Sequence, residues 1–282
     1  MADQKLDMAK LDMGRAWVQA TGMIGANRDL VGVLAGLFLF IPMFVVVYAL
    51  FSSGIDLGGG AGSGGGEPNP ERVAAEINAL LVANWWALLL AVVGQLCGSI
   101  AILALLGDPD RPTVREVLGM VPRLILPIIG AQLLIALLTQ LPSLIAGLLP
   151  EPVAAGLGLV ALPLTIYLTV KFCLTSAMIV LGRKRNPIEA MRGSWRLTKA
   201  NSLRLFAFFA MLILVAAVIG LILLLVIGLV LSAAGDRAAV IGNAAVFALL
   251  LTVFYTMSFA LTASIYRQLT QSLPDEEADL FA

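Results

Sequence analysis

Lys171 is the residue whose type and position carry the most chemistry. It is the one charge inside an apolar run from Val153 to Leu181, ten residues in from the end of that run. A charge at the centre of a membrane-crossing helix costs about 2.5–3.5 kcal/mol on insertion scales. Such a residue marks an anion or lipid contact or a partner contact, or its side chain reaches back to the interface. No acid within a span can neutralise it, because all 18 Asp and Glu lie outside the apolar runs. Just beyond that run come Arg183, Lys184, Arg185, Arg192, Arg196, Lys199 and Arg204. Together with Lys171 these are the candidate lipid or anion contacts.

Other chemistries lack their groups. The chain has no His, which removes the commonest general base and metal ligand. A metal site or a carboxylate proton relay would need ionisable groups at depth, and Lys171 is alone there. A Ser–Lys pair around Lys171 is the only nucleophilic arrangement left, and nothing else supports it. Cys97 and Cys173 read as small buried apolar residues. The loops hold no phosphate-cradling Gly-rich motif. The expectation is therefore a protein that is not an enzyme, with no catalytic residues, no metal and no cofactor. Zero formal net charge argues against nucleic acid as a partner.

The elements that must position these residues follow from composition. The 282 residues are 60% hydrophobic and only 13% charged, far from the roughly 25% charge of soluble domains. A span needs about 20 apolar residues. Six runs qualify: Leu30 to Phe51, about Leu81 to Leu106, Leu124 to Leu149, Val153 to Leu181, Leu205 to Leu231, and Ala238 to Ile265. The fold class is all-α, a polytopic membrane protein of six spans. Pro42, Pro127, Pro142 and Pro163 fall inside spans, where a missing N–H predicts kinks. The charged first 29 residues do not read as a signal peptide. Three segments result: 1–29 before the spans, a membrane domain over 30–265, and an acidic tail over 266–282.

Fifteen of the 18 Lys and Arg fall on one side of the six runs, and only Arg72 and Arg237 on the other. The positive-inside rule then puts both termini in the cytoplasm. The expected location is a bacterial inner membrane. Residues 54–66 form an outside loop in which eight of thirteen are glycine, a slack tether. Asn69-Pro70 then reads as a cap and first helical position, opening a helix with Val73, Ile77 and Leu80 on one face. Trp85 and Trp86 stand where the second span enters from outside and read as interface anchors, as does Trp195 on the inner side.

The cytoplasmic loops carry helices of their own. In the basic loop 182–204, Asn186 caps, Pro187 starts the helix and Glu189 sits at capping-box spacing. Ile188, Met191 and Trp195 recur on one face, Leu197 falls off it, and Arg192, Arg196 and Lys199 line a neighbouring strip. Such a helix suits the headgroup layer. Thr113 and Glu116 repeat the capping-box spacing before Val117 and Val121. Near the N-terminus, Leu6, Ala9, Met13, Ala16, Ala20 and Ile24 step at helical intervals. The chain thus reads as three repeats, each a cytoplasmic helix followed by a two-span hairpin. Ala26-Asn27 and Ala200-Asn201 echo one another between repeats.

The run from Lys171 to Leu205, KFCLTSAMIVLGRKRNPIEAMRGSWRLTKANSLRL, resembles the glycerophosphodiester phosphodiesterase membrane-domain family and related six-span bacterial proteins. Lys171 in span four, the apolar stretch to the membrane edge, and Pro187, Glu189, Ala190, Ser194, Trp195, Leu197 and Thr198 carry the resemblance. In that family the membrane domain is often joined to a soluble catalytic domain. The resemblance implies a membrane module, and phosphodiesterase activity is not carried over with it. The expected role is lipid-interacting, scaffolding or regulatory, with anionic membrane lipids as partners and a protein partner or second copy as a further one. The alternative is a transporter or channel subunit for a small or lipid-like substrate, with Gln95, Gln132, Gln140 and Asn243 along a path.

The orientation is tested with single cysteines at Ser63 and Ser194 in a chain whose Cys97 and Cys173 are replaced by Ala. An impermeant thiol reagent on whole cells should label position 63 and spare position 194. The reverse pattern contradicts the orientation.

Overall fold

The computed structural model describes residues 11–53, 70–108 and 112–271. The glycine-rich loop, Leu6, Ala9, Asn69, Arg111 and the acidic tail lie outside the described residues. Every regular element among the described residues is helical. In chain order these are α1 (Met13–Ala26), α2 (Arg28–Ala35), a π-helical turn (Gly36–Phe40), α3 (Ile41–Ser52), α4 (Pro70–Ala83) and α5 (Trp85–Gly107). Then follow α6 (Val114–Ala146), α7 (Glu151–Phe172), α8 (Thr175–Val180), α9 (Pro187–Thr198), α10 (Ser202–Ser232) and α11 (Asp236–Gln271).

Six stretches are long and apolar enough to cross a membrane: Arg28–Ser52, Trp85–Gly107, Val114–Ile145, Gly156–Val180, Ser202–Ser232 and Asp236–Gln271. They coincide with the six runs read from hydropathy. Some ends pass the apolar limits, as α11 does to Gln271, and Gly156–Val180 falls within its run.

Pro122, Pro127 and Pro142 lie inside a single helix, α6, and Pro163 lies inside α7. Both helices run on through them. The fourth span is instead interrupted at Cys173 and Leu174, between α7 and α8, where no proline stands. Pro42 does have a visible consequence. It cannot give Phe38 its α-helical N–H, and the turn just before it is π-helical.

The described residues form two compact units. One comprises 32–53, 70–98 and 213–256. Within it, Gly94 of α5 faces the turn at Pro42. A Cβ on Gly94 would come within 2.5 Å of the Phe38 carbonyl oxygen and 2.8 Å of Pro42 Cγ. Glycine is therefore what lets these backbones approach. Gly228 similarly accommodates the Asn243 amide, with Oδ1 3.2 Å from where a Cβ would sit. Trp85 and Trp86 open α5 with more than half their surface exposed.

The other unit comprises 11–31, 99–108, 112–212 and 257–271. Its core gathers Ile100, Ile102 and Leu103 of α5, Leu174, Met178 and Ile179 at α8, and Leu261 and Ile265 of α11, all fully buried. The short α8 sits inside this core, and α9 packs on α6, α7 and α8. The caps read from sequence form. Thr113 and Glu116 make a reciprocal capping box at the start of α6. Asn186 Oδ1 accepts from the Ile188 N–H at 3.0 Å, while Glu189 reaches the Asn186 side-chain amide at 3.4 Å. The two echoing asparagines also match in place: the main-chain oxygens of Asn27 and Asn201 each accept, at 2.9 Å, the N–H four residues on, Val31 and Leu205, in the first turn of the following helix.

Candidate functional site

The interruption in span four defines the site. Where α7 ends, main-chain carbonyls lose the donors that a continuing helix would supply. The Lys171 carbonyl takes its donor from another helix. Ser194 Oγ of α9 donates to it at 2.7 Å, and Thr198 Oγ1 approaches it at 3.4 Å. Both hydroxyls are completely buried. In hydrocarbon an unmet carbonyl costs several kcal/mol, so these bonds fix α9 against the break. Thr175 opens α8 with a buried hydroxyl that has no partner among the described residues.

The buried side of α9 corrects the face read from spacing. Ala190, Met191, Gly193, Ser194, Leu197 and Thr198 are inside. Ile188 is 49% exposed, and Leu197, read as off the face, is buried. Periodicity weighted the large apolar residues, but the interior side is built from small and hydroxyl-bearing ones that permit close approach and cap the break. Because Ser194 is buried, the exposed Glu189 on the same helix serves better as the inner labelling position.

Lys171 itself is only 2% exposed. Its ammonium sits over two aromatic faces, 5.2 Å from the Trp195 ring centre and 5.5 Å from that of Tyr167. Tyr167 meets Trp195 edge-on at 5.8 Å, and Phe172 adds a tilted contact at 5.7 Å. Ring quadrupoles attract a cation by about 0.5–2 kcal/mol, more as water is removed. Among the described residues no carboxylate forms an ion pair with Lys171. The charge that acts on it is a like one, Lys199. Trp195 is thus more than an interface anchor: it roofs the buried charge.

The other sequence candidates separate into two groups. Arg192, Arg196 and Lys199 are exposed on the outer side of α9, at helical spacing, beside the half-exposed Ile188 and Trp195. Arg183 is exposed too, but it is turned by a positive φ of 49° and pairs with Asp108 at 3.8 Å. Arg185 is exposed, and Lys184 and Arg204 are half-buried. The structure therefore groups Lys171, Trp195, Arg192, Arg196 and Lys199 on α9 and the helix end beneath it. It holds Arg183 in a separate ion pair. Sequence reasoning missed Tyr167, and it named Ser194 and Thr198 only as part of the family resemblance, without a role at the site. The available signal was Ser194 and Thr198 at i and i+4, polar on a side that otherwise carries Ala190, Met191 and Leu197.

The amides proposed for a path are dispersed. Gln132 and Gln140 are exposed on α6, and Gln95 and Asn243 are half-buried. Among the described residues no group of His, Cys, Asp or Glu is arranged to hold a metal ion.

Residues 123–280 match the family described as the membrane domain of glycerophosphoryl diester phosphodiesterase. That is more than half of the chain, and it includes every residue of the Lys171 site. The chain belongs to this family. No curated protein and no solved structure matches it.

Removing the Ser194 hydroxyl strands the Lys171 carbonyl. Ser194→Ala should destabilise the unit by about 1–3 kcal/mol. Thr198→Val should cost less, because its longer bond to Lys171 is secondary to the 2.9 Å bond its hydroxyl makes to Ser194 O. Thermal unfolding in detergent micelles reads both. A larger loss in Thr198→Val than in Ser194→Ala would contradict this assignment of the cap.

Proposed function

We propose that this integral membrane protein is a non-catalytic module that holds anionic lipid headgroups at its inner face through α9. The observation that carries the reading is the division of α9 into two sides. One side is locked over the break in span four. The other presents Arg192, Arg196 and Lys199 outward, with Ile188 and Trp195 beside them. A helix held rigidly with cations and apolar groups on its free side matches the layered chemistry of a bilayer surface. The buried Lys171 adds positive potential beneath the same helix with no described acid to cancel it.

The orientation belongs to the same reading. The excess of Lys and Arg puts α9 and both termini at the cytoplasmic leaflet of a bacterial inner membrane, where anionic lipid is available. The role that follows is lipid-dependent scaffolding or regulation. A transport role is the competing account, and flux through reconstituted liposomes separates the two.

Each Lys or Arg near an anionic surface contributes about 1 kcal/mol, falling off within a Debye length. Replacing Arg192, Arg196 and Lys199 together by Gln should lower the phosphatidylglycerol and cardiolipin that copurify with the protein severalfold. The six spans should still insert, because apolar length drives insertion. Equal anionic lipid in the wild type and the triple variant would overturn the reading and leave these residues as topology signals.

A further inference from the structure

Arg267 stands away from α9, near the end of α11, and nothing in the account so far uses it. It is half-buried in the wall of a cleft of about 750 Å³ within the unit that holds α1 and α11. The cleft is also lined by Gln19, Met23, Asn27, Leu106 and Asp108. A guanidinium offers five N–H donors in a planar fork. Among the described residues this one makes a single contact to a weak acceptor, from Nη1 to Met23 Sδ at 3.9 Å. The acid that shares the cleft, Asp108, is already engaged by Arg183.

A second group lines the same cleft. Ser264 Oγ, with one proton to donate, lies 3.0 Å from the Ala16 carbonyl and 3.1 Å from the Gln19 side-chain amide. The Gln19 amide therefore sits at the cleft wall within reach of a buried hydroxyl, and it carries two N–H donors. The cleft therefore brings together a cation with no ion pair among the described residues and an amide donor, next to apolar wall from Leu30, Leu105 and Leu106. Its volume is far larger than a carboxylate needs and falls in the range of ligand sites. The arginine fork fits phosphate oxygens in a bidentate way.

We propose that this cleft binds a phosphate-bearing group, with Arg267 as its charge partner and Gln19 as a hydrogen-bond donor. The site is separate from the basic strip of α9, so either can fail without the other. The phosphate comes from a lipid headgroup or from the free ion, and two probes distinguish these.

The test is calorimetric titration of the full chain in micelles with a short-chain phosphatidylglycerol and with inorganic phosphate. Saturable binding is expected, and Arg267→Gln should weaken it tenfold or more, the loss of a charge-assisted bond. Gly22→Leu is the independent variant. Gly22 lines the cleft, and a Cβ there meets nothing within 4 Å, so the new side chain fills the cavity without a backbone clash. Leucine also favours the helix over glycine, so thermal stability should hold while binding falls. The triple Gln variant of α9 should keep this saturable site. Binding of inorganic phosphate identifies the free ion as a ligand, and binding of the lipid alone identifies a headgroup site; both support the proposal. Absence of saturable binding for both probes, or wild-type affinity in Arg267→Gln and Gly22→Leu, overturns it.

Discussion

A main-chain carbonyl in hydrocarbon must find a donor, and the Lys171 carbonyl finds one on a different helix. Much of the inner architecture follows from that requirement. The donor is a serine, so α9 must lie within hydrogen-bond reach of the end of α7. The contact fixes which side of α9 is interior. The remaining sides then follow by helical geometry: Trp195 lands over the Lys171 ammonium, and Arg192, Arg196 and Lys199 face outward. The break also frees α8 to turn into the core, where Met178 and Ile179 are enclosed.

The same arrangement answers how a cation survives in a span without an acid. Two conditions favour it and one opposes it. The ammonium lies at the end of α7, where the helix dipole favours positive charge. Two aromatic faces replace part of its hydration. The like charge of Lys199 works against it. A site with attraction from rings and a dipole, but no counter-charge among the described residues, is one that an anion would complete. This electrostatic shortfall is what connects the fold to the proposed lipid-binding role.

The six spans were legible from hydropathy because apolar length is a property of composition, and the helix caps were legible because Asn186-Pro187 and Thr113…Glu116 act over three residues. The break at Cys173–Leu174 was not. Neither residue is a helix breaker, and the interruption is stabilised by a hydroxyl 23 positions away in sequence. Conversely, Pro127 and Pro142, where kinks were expected, lie inside α6, which runs through them as one helix. Proline removes one bond and restricts its neighbours, but a long helix held by its other bonds continues. The interior face of α9 was misread for a related reason. Spacing rewarded bulky apolar residues, whereas close approach favours Gly193 and Ser194. Arg267, Gln19 and Ser264 lie too far apart in sequence for spacing to unite them. Of the residues that carried the family resemblance, Ser194, Trp195 and Thr198 stand against Lys171.

The central claim is that α9 covers Lys171 and is held there by the break in span four. Residue-resolved acylation of lysines in micelles, read by mass spectrometry, tests it most directly. Lys199 is exposed and supplies the internal reference. Lys171 should be protected in the wild type while Lys199 is modified, and it should become reactive when Trp195 is replaced by Ala. Modification of Lys171 at the rate of Lys199 in the wild type would contradict the account.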